Sequence, residues 1–270
     1  MSETAVETAP RTLVHYAVRD GVAYLTLDDP PANTYTHEMM KQIDDGILKA
    51  RFDAAVHVIV LTGTGEKMFC AGANINMLKA SDPYFKYFFC LHANETLSRL
   101  EQTPKLVIAA LNGNTVGGGL EIAMAADLRL ARKGGGKVGL PEVTLGVLPG
   151  TGGTQRLVRI VGKSRAIELM VTGRLFSFED AQGYGIIDQI FESENFMGQI
   201  HDYAKQFCPP GKAAKAVGRI KRAVQSGAEV PFEYAMTLER ELQQQLFQSD
   251  DAKEGLAAYV EKRTPAFTAK

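Results

Sequence analysis

The segment Asn112-Gly113-Asn114-Thr115-Val116-Gly117-Gly118-Gly119-Leu120-Glu121-Ile122-Ala123-Met124-Ala125-Ala126-Asp127 holds the strongest hint of chemistry in the chain. It follows the apolar run Leu106–Leu111, so a buried strand should end in a turn where three glycines leave the backbone bare. An Ala-rich helix then starts with its first N–H groups unpaired and directed at the same spot. Amides held this way can stabilise negative charge developing on an oxygen. Glu121 lies just inside the first turn, where it either reaches that spot or only complements the helix dipole.

A second carboxylate, Glu142, stands between two apolar runs in Val138-Gly139-Leu140-Pro141-Glu142-Val143-Thr144-Leu145. Enclosure there should raise its pKa toward values useful for proton transfer near neutrality. Another small-residue turn, Phe69-Cys70-Ala71-Gly72-Ala73-Asn74-Ile75-Asn76, reads either as tight packing between strand and helix or as a further source of accessible N–H groups. Two such turns, with carboxylates 21 residues apart, suit a reaction in which amides polarise a thioester-like carbonyl and the carboxylates move protons at the adjacent carbons. Water addition is the natural candidate.

Other chemistries lack their residues. There is no Gly-x-Ser-x-Gly elbow, no phosphate loop ending in Gly-Lys-Ser/Thr, no Gly-x-Gly-x-x-Gly fingerprint and no His-Glu-x-x-His. The five histidines are scattered, so no metal cluster is expected, and His92 reads as a core or interface residue. Lys and Arg number 30 against 31 acidic residues, which gives no global field toward nucleic acid. No apolar run approaches the roughly 20 residues of a membrane span. Cys70, Cys90 and Cys208 form neither a CxxC pair nor a disulfide ladder, which suits a reducing, cytoplasmic setting.

The elements that must position these groups can be read in order. Leu13–Val18 and Val22–Leu27 flank Asp20-Gly21, a hairpin signal. Met40, Ile43, Ile47 and Ala50 recur at helical spacing behind a Thr36 cap, and Val56–Leu61 is apolar apart from His57, as in a mostly parallel sheet covered on both faces. A helix is predicted over about residues 83–102, its Tyr84, Phe85, Tyr87, Phe88 and Phe89 expected mainly in the core, with pocket lining as the lesser reading. Leu128–Ala131 and Ile186–Phe191 read as strands, Ser164 as the cap of a helix to Thr172, and Ser177–Asp180 as a capping box. Residues 1–12 read as a frayed lead, 13–195 as an α/β core and 196–270 as an all-helical tail.

Taken jointly, these stretches resemble the crotonase (enoyl-CoA hydratase/isomerase) superfamily, and most closely its hydratases, from about Leu13 to Phe267. Phe69–Ala73 is similar to the family's first oxyanion segment and Asn112–Asp127 to its second. Leu140-Pro141-Glu142 together with Pro149–Leu157 is similar to its third signature. The resemblance implies a ClpP/crotonase-like fold of repeated β-β-α units with a C-terminal helical trimerisation subdomain. It implies that the N–H groups of Ala73 and Gly118 form an oxyanion hole and that Glu121 and Glu142 are the catalytic carboxylates. Coenzyme A would enter as part of the substrate, with no separate cofactor and no metal, its nucleotide lying along Cys70, Ala71, Ala73, Asn74, Ile75 and Asn76. Tyr259 and Lys262 match a tail segment that reaches the adenosine of a neighbouring subunit's ligand, so a homotrimer or homohexamer is implied. An isomerase or hydrolase of the same fold, and a non-catalytic CoA-thioester binding protein, are the alternatives. The chain departs from the family at Asn74, where Asp is usual, and at Thr34-Tyr35, where smaller residues are usual and the pocket should be reshaped.

Overall fold

The structure, a computed structural model, describes residues 11–270, so most of the expected N-terminal lead lies outside the described residues. The strands are β1 (Val14–Arg19), β2 (Val22–Leu27), β3 (Val58–Gly63), β4 (Met68–Cys70), β5 (Leu106–Leu111), β6 (Asn114–Val116), β7 (Leu128–Arg132), β8 (Lys137–Gly139), β9 (Phe176–Ser177) and β10 (Gln189–Phe191). They form a six-stranded sheet, β1-β2-β3-β5-β7-β10, and a four-stranded sheet, β4-β6-β8-β9. Only the β1–β2 hairpin and the β8–β9 pair are antiparallel. The hairpin turn takes Asp20 and Gly21 into positive φ, 49° and 80°, the geometry expected of a two-residue connection.

The helices are α1 (His37–Phe52), α2 (Ile75–Ala80), α3 (Pro83–Glu101), α4 (Gly118–Met124), α5 (Gly153–Val161), α6 (Lys163–Thr172), α7 (Phe178–Gly183), α8 (Phe196–Lys205), α9 (Ala214–Gly227), α10 (Phe232–Phe247) and α11 (Asp250–Glu261). None is long and apolar enough to cross a membrane. Three times a strand of the large sheet is followed by a short strand of the small sheet and then a helical turn. The series are β3-β4-α2, β5-β6-α4, and β7-β8 followed by the 3-10 turn Glu142–Leu145. This is the β-β-α repeat.

Alternation along the central strands explains their uninterrupted apolar sequence. Ile59 and Leu61 face the main core with α1 and α3, while Val58 and Val60 face a second cluster with Ile108, Ala110 and Leu130. That second face is covered by α8 through Phe196, Ile200 and Ala204, so a helix from beyond residue 195 completes the sheet's burial.

Several expectations need correction. β3 begins at Val58 rather than Val56, and β10 at Gln189, because Ile186 and Ile187 bury in a turn hydrogen-bonded to the Ala181 carbonyl. Ser164 does not cap α6, since Gly162 at φ 78° opens it without a side-chain cap, whereas the Ser177–Asp180 capping box is present. Of the five α3 aromatics only Phe89 is buried, while Tyr84, Phe85, Tyr87 and Phe88 are exposed on this chain. His92 is half-buried, edge-on to His37 with ring centroids 5.2 Å apart.

Candidate active site

The site is assembled from the same position of three successive repeats, where the chain leaves a short strand of the small sheet. β4 leads to Ala73, β6 to Gly118 and β8 to Glu142. Because β4, β6 and β8 are parallel neighbours, their ends lie side by side.

Each glycine after β6 has its own steric reason. Gly117 sits at φ 57°, ψ −131°, a conformation that L side chains rarely adopt. A methyl on Gly118 would meet the Tyr35 ring, and one on Gly119 the Cys70 carbonyl. The turn therefore seats α4 directly on β4 and Tyr35. Gly118, as the first residue of α4, has an N–H beyond the reach of the helical ladder.

Ala73 is held by a short parallel bridge to Tyr35. The Tyr35 N–H donates to the Gly72 carbonyl and the Asn74 N–H to the Tyr35 carbonyl, both at 2.9 Å, while the Ala73 N–H has no acceptor among the described residues. Gly72 stands at φ 91°, and a Cβ there would lie 3.0 Å from the Gly118 nitrogen. The two turns thus approach each other closely, with free N–H groups on both.

Glu121 is buried, and its Oε1 accepts from the N–H groups of Thr151 and Gly153, each at 2.7 Å. Burial raises its pKa, against the pull of these two donors and of the Arg156 and Lys86 charges. The Thr151 loop is itself fixed: Arg156 donates to the Thr151 carbonyl at 3.0 Å and pairs with Glu101 through two bonds of 2.7 Å. Glu142 is held differently. Its pKa is pushed up to about 7, chiefly by burial and further by the Glu121 charge, and its Oε2 is enclosed with no partner among the described residues. Its Oε1 lies beside Gly117, 2.9 Å from where a Cβ would stand. One carboxylate is anchored by amides; the other is adjacent, close to neutral and free to act.

Both line a cavity of about 730 Å³ together with Ala71, Ala73, Gly118 and Ile75. Other anticipated site residues lie elsewhere. Cys70 is buried behind the wall, its thiol pushed up to about 12 by burial and accepting from the Gly72 N–H at 3.4 Å. Asn74 is occupied with structure: Oδ1 accepts from the Met77 N–H at 3.0 Å to cap α2, and Nδ2 donates to Thr34 Oγ1 at 3.3 Å. Asn76 is exposed and off the wall, and Tyr259 and Lys262, at the end of α11, do not border the cavity of their own chain.

Three residues carry roles not assigned from sequence. Tyr35 lines the cavity, stacks on Phe89 at 5.7 Å and shares a 2.9 Å hydrogen bond with Thr151 Oγ1. Its departure from smaller residues was the available signal. Thr151 and Gly153 fall inside the third signature, but nothing in their spacing announces that their amides hold a carboxylate 30 and 32 residues upstream.

Comparison with known proteins identifies the family. The family model described as enoyl-CoA hydratase/isomerase matches residues 17–270. The short-chain-enoyl-CoA hydratase of Clostridium acetobutylicum is 35% identical over 243 residues, covering 90% of this chain and 92% of that one. The (E)-benzylidenesuccinyl-CoA hydratase of Thauera aromatica is 35% identical over 253 residues, covering 93% and 96%. Among solved structures, an enoyl-CoA hydratase from Geobacillus kaustophilus superposes with a TM-score of 0.94 at 41% identity, covering 97% of this chain and 98% of that one. With repeats, paired turns and two carboxylates in one cavity, the chain belongs to the enoyl-CoA hydratase/isomerase family, and its fold is the crotonase fold.

Proposed function

We propose that the protein is an enoyl-CoA hydratase, adding water reversibly across the 2,3 double bond of a 2-enoyl-CoA to give a 3-hydroxyacyl-CoA. The observation that carries this reading is the unequal pair of carboxylates in one cavity, Glu121 anchored by two amides and Glu142 near neutrality. Moving a double bond needs one such group; adding water uses two.

In this scheme the thioester oxygen accepts from the Ala73 and Gly118 N–H groups, so charge leaving the double bond is received by preorganised dipoles. Glu121 takes the proton of a water whose oxygen bonds to C3. Glu142 delivers its proton to C2 as the enolate collapses. The amide bonds to Glu121 Oε1 fix the carboxylate's orientation, and enclosure keeps Glu142 protonated up to neutrality.

The CoA moiety is assigned to the cavity wall at Ala71, Ala73 and Ile75, with Tyr259 and Lys262 of a neighbouring subunit at the adenosine of a homotrimer or homohexamer. Support for assembly comes from the apolar side chains left open on the last helices, Phe232, Tyr234, Tyr259 and Val260 among them. Three free cysteines support a cytoplasmic setting. The named relatives act on different acyl groups, so family membership leaves the acyl class open.

The test is hydration of crotonyl-CoA, followed as loss of the conjugated thioester's ultraviolet absorbance. Glu142→Gln should lower kcat by about 10²–10⁴ while still binding the product thioester. Full activity in that variant, or bond migration without water uptake, would remove the assignment.

A further inference from the structure

Lys86 lines the cavity wall and has no part in the hydration scheme. It projects from α3 into the same cavity as Glu121 and Glu142. Its ammonium donates to Cys90 Sγ at 3.1 Å and lies 5.4 Å from the Phe89 ring centroid. Among the described residues no carboxylate comes within ion-pairing distance of it. The Cys90 thiol and the Lys86 ammonium both flank Gly150, at 3.3 and 3.9 Å from where its Cβ would stand. Gly150 precedes Thr151, whose amide holds Glu121, so the cation stands just past the anchored carboxylate on the cavity wall.

The surroundings make this placement costly. Leu78, Leu145, Val147 and Leu148 contribute apolar wall, and a half-buried ammonium served by a thiol and a ring is poorly compensated there. Most lysines at such positions turn to a carboxylate or to bulk water. Asp82, also on the wall, is committed to the α3 cap, accepting from the Phe85 N–H at 2.7 Å. Lys86 does help to lower the Glu121 pKa, but as the last of several causes, so compensating Glu121 is a small part of its role.

We propose that the acyl group preferred by this cavity ends in a carboxylate, so that the ligands are CoA monothioesters of short dicarboxylic acids, with Lys86 binding the free carboxylate. The inference rests on the cavity being an acyl-CoA site and adds the substrate class. On this reading a thioester carbonyl held at Ala73 and Gly118 sends its chain past the two glutamates toward Lys86, which lines the same cavity. A terminal carboxylate there would complete the ammonium's hydrogen bonding with a charge-assisted partner. An uncharged alkyl end would leave it as it is.

Saturated thioesters separate this claim from hydration, because they have no double bond to hydrate. Calorimetric titration of the full-length protein should give a Kd for glutaryl-CoA about tenfold or more below that for butyryl-CoA. Lys86→Gln should remove the difference, and Lys86→Arg should keep most of it. Equal or weaker binding of glutaryl-CoA by the wild type overturns the proposal alone. So does a Lys86→Gln variant that weakens both ligands by the same factor, which would make Lys86 a support for Glu121. Failure of both thioesters to bind overturns the acyl-CoA reading beneath it as well.

Discussion

At the scale of single residues, the division of labour proposed for the two glutamates rests on their different environments. Glu142 must be protonated to deliver a proton, so kcat/KM for hydration should fall as pH rises through about 7. A pH profile with crotonyl-CoA checks this, and a profile flat from pH 6 to 9 would contradict it. Stability follows the same sign. A carboxyl whose folded pKa is raised from 4.5 to about 7 favours the folded state fully below the lower value and loses that contribution as pH climbs through the higher one. Glu142→Gln lacks the titration, so it should gain on the wild type between pH 4.5 and 8, by at most about 3 kcal/mol, read from urea unfolding at the two pH values. Tyr35→Phe should cost about 1–2 kcal/mol, because it strands the buried Thr151 hydroxyl that Tyr35 now satisfies. The enclosure of Glu142 was legible from its apolar flanks. The capture of Glu121 by amides 30 and 32 residues away was not, because backbone donors leave no mark of residue type.

At the scale of elements, the short strands decide the site, and they are what sequence periodicity misses. β4, β6 and β8 are three residues each, too short for an alternating pattern to declare itself, yet their ends deliver Ala73, Gly118 and Glu142. Long apolar strands and some helix starts were readable: α1 starts behind Thr36, and β5 matches residue for residue. The glycine run signals a close approach in the sequence, but the groups that approach it, Tyr35 and the Cys70 carbonyl, are distant along the chain. A methyl at Gly119 has no room against that carbonyl, so Gly119→Ala should destabilise the fold by about 1–3 kcal/mol or more and displace α4. Denaturant unfolding measures the first effect. Loss of thioester binding at a temperature where the variant stays folded measures the second. The α3 aromatics failed the expectation of burial for a related reason: five rings in six positions point all round the helix, and only Phe89 meets the core.

For the whole molecule, the assignment of Tyr259 and Lys262 to a neighbouring subunit's ligand makes assembly testable through affinity. Sedimentation should show a trimer or hexamer, and Tyr259→Ala should raise KM for a CoA thioester by roughly tenfold while leaving that for a pantetheine thioester, which lacks the nucleotide, unchanged. The helical tail was legible as a change in texture near residue 196, but its binding to the rest was not. Lys221 of α9 buries its ammonium 2.9 Å from Asp127, just after α4, and donates to the carbonyls of Leu100 and Lys105 at 3.3 and 3.1 Å. Asp127 in turn accepts from the Val107 N–H at 2.7 Å, clasping β5 beside it. Lys221→Met would retain every group assigned to proton transfer and still strand a buried anion at the foot of the helix that bears Glu121, a loss of about 3–5 kcal/mol. A chain cut before α9, which loses this clasp together with its covering helix, should be inert or insoluble. The last quarter of the protein is the counterweight without which the reactive end tips over.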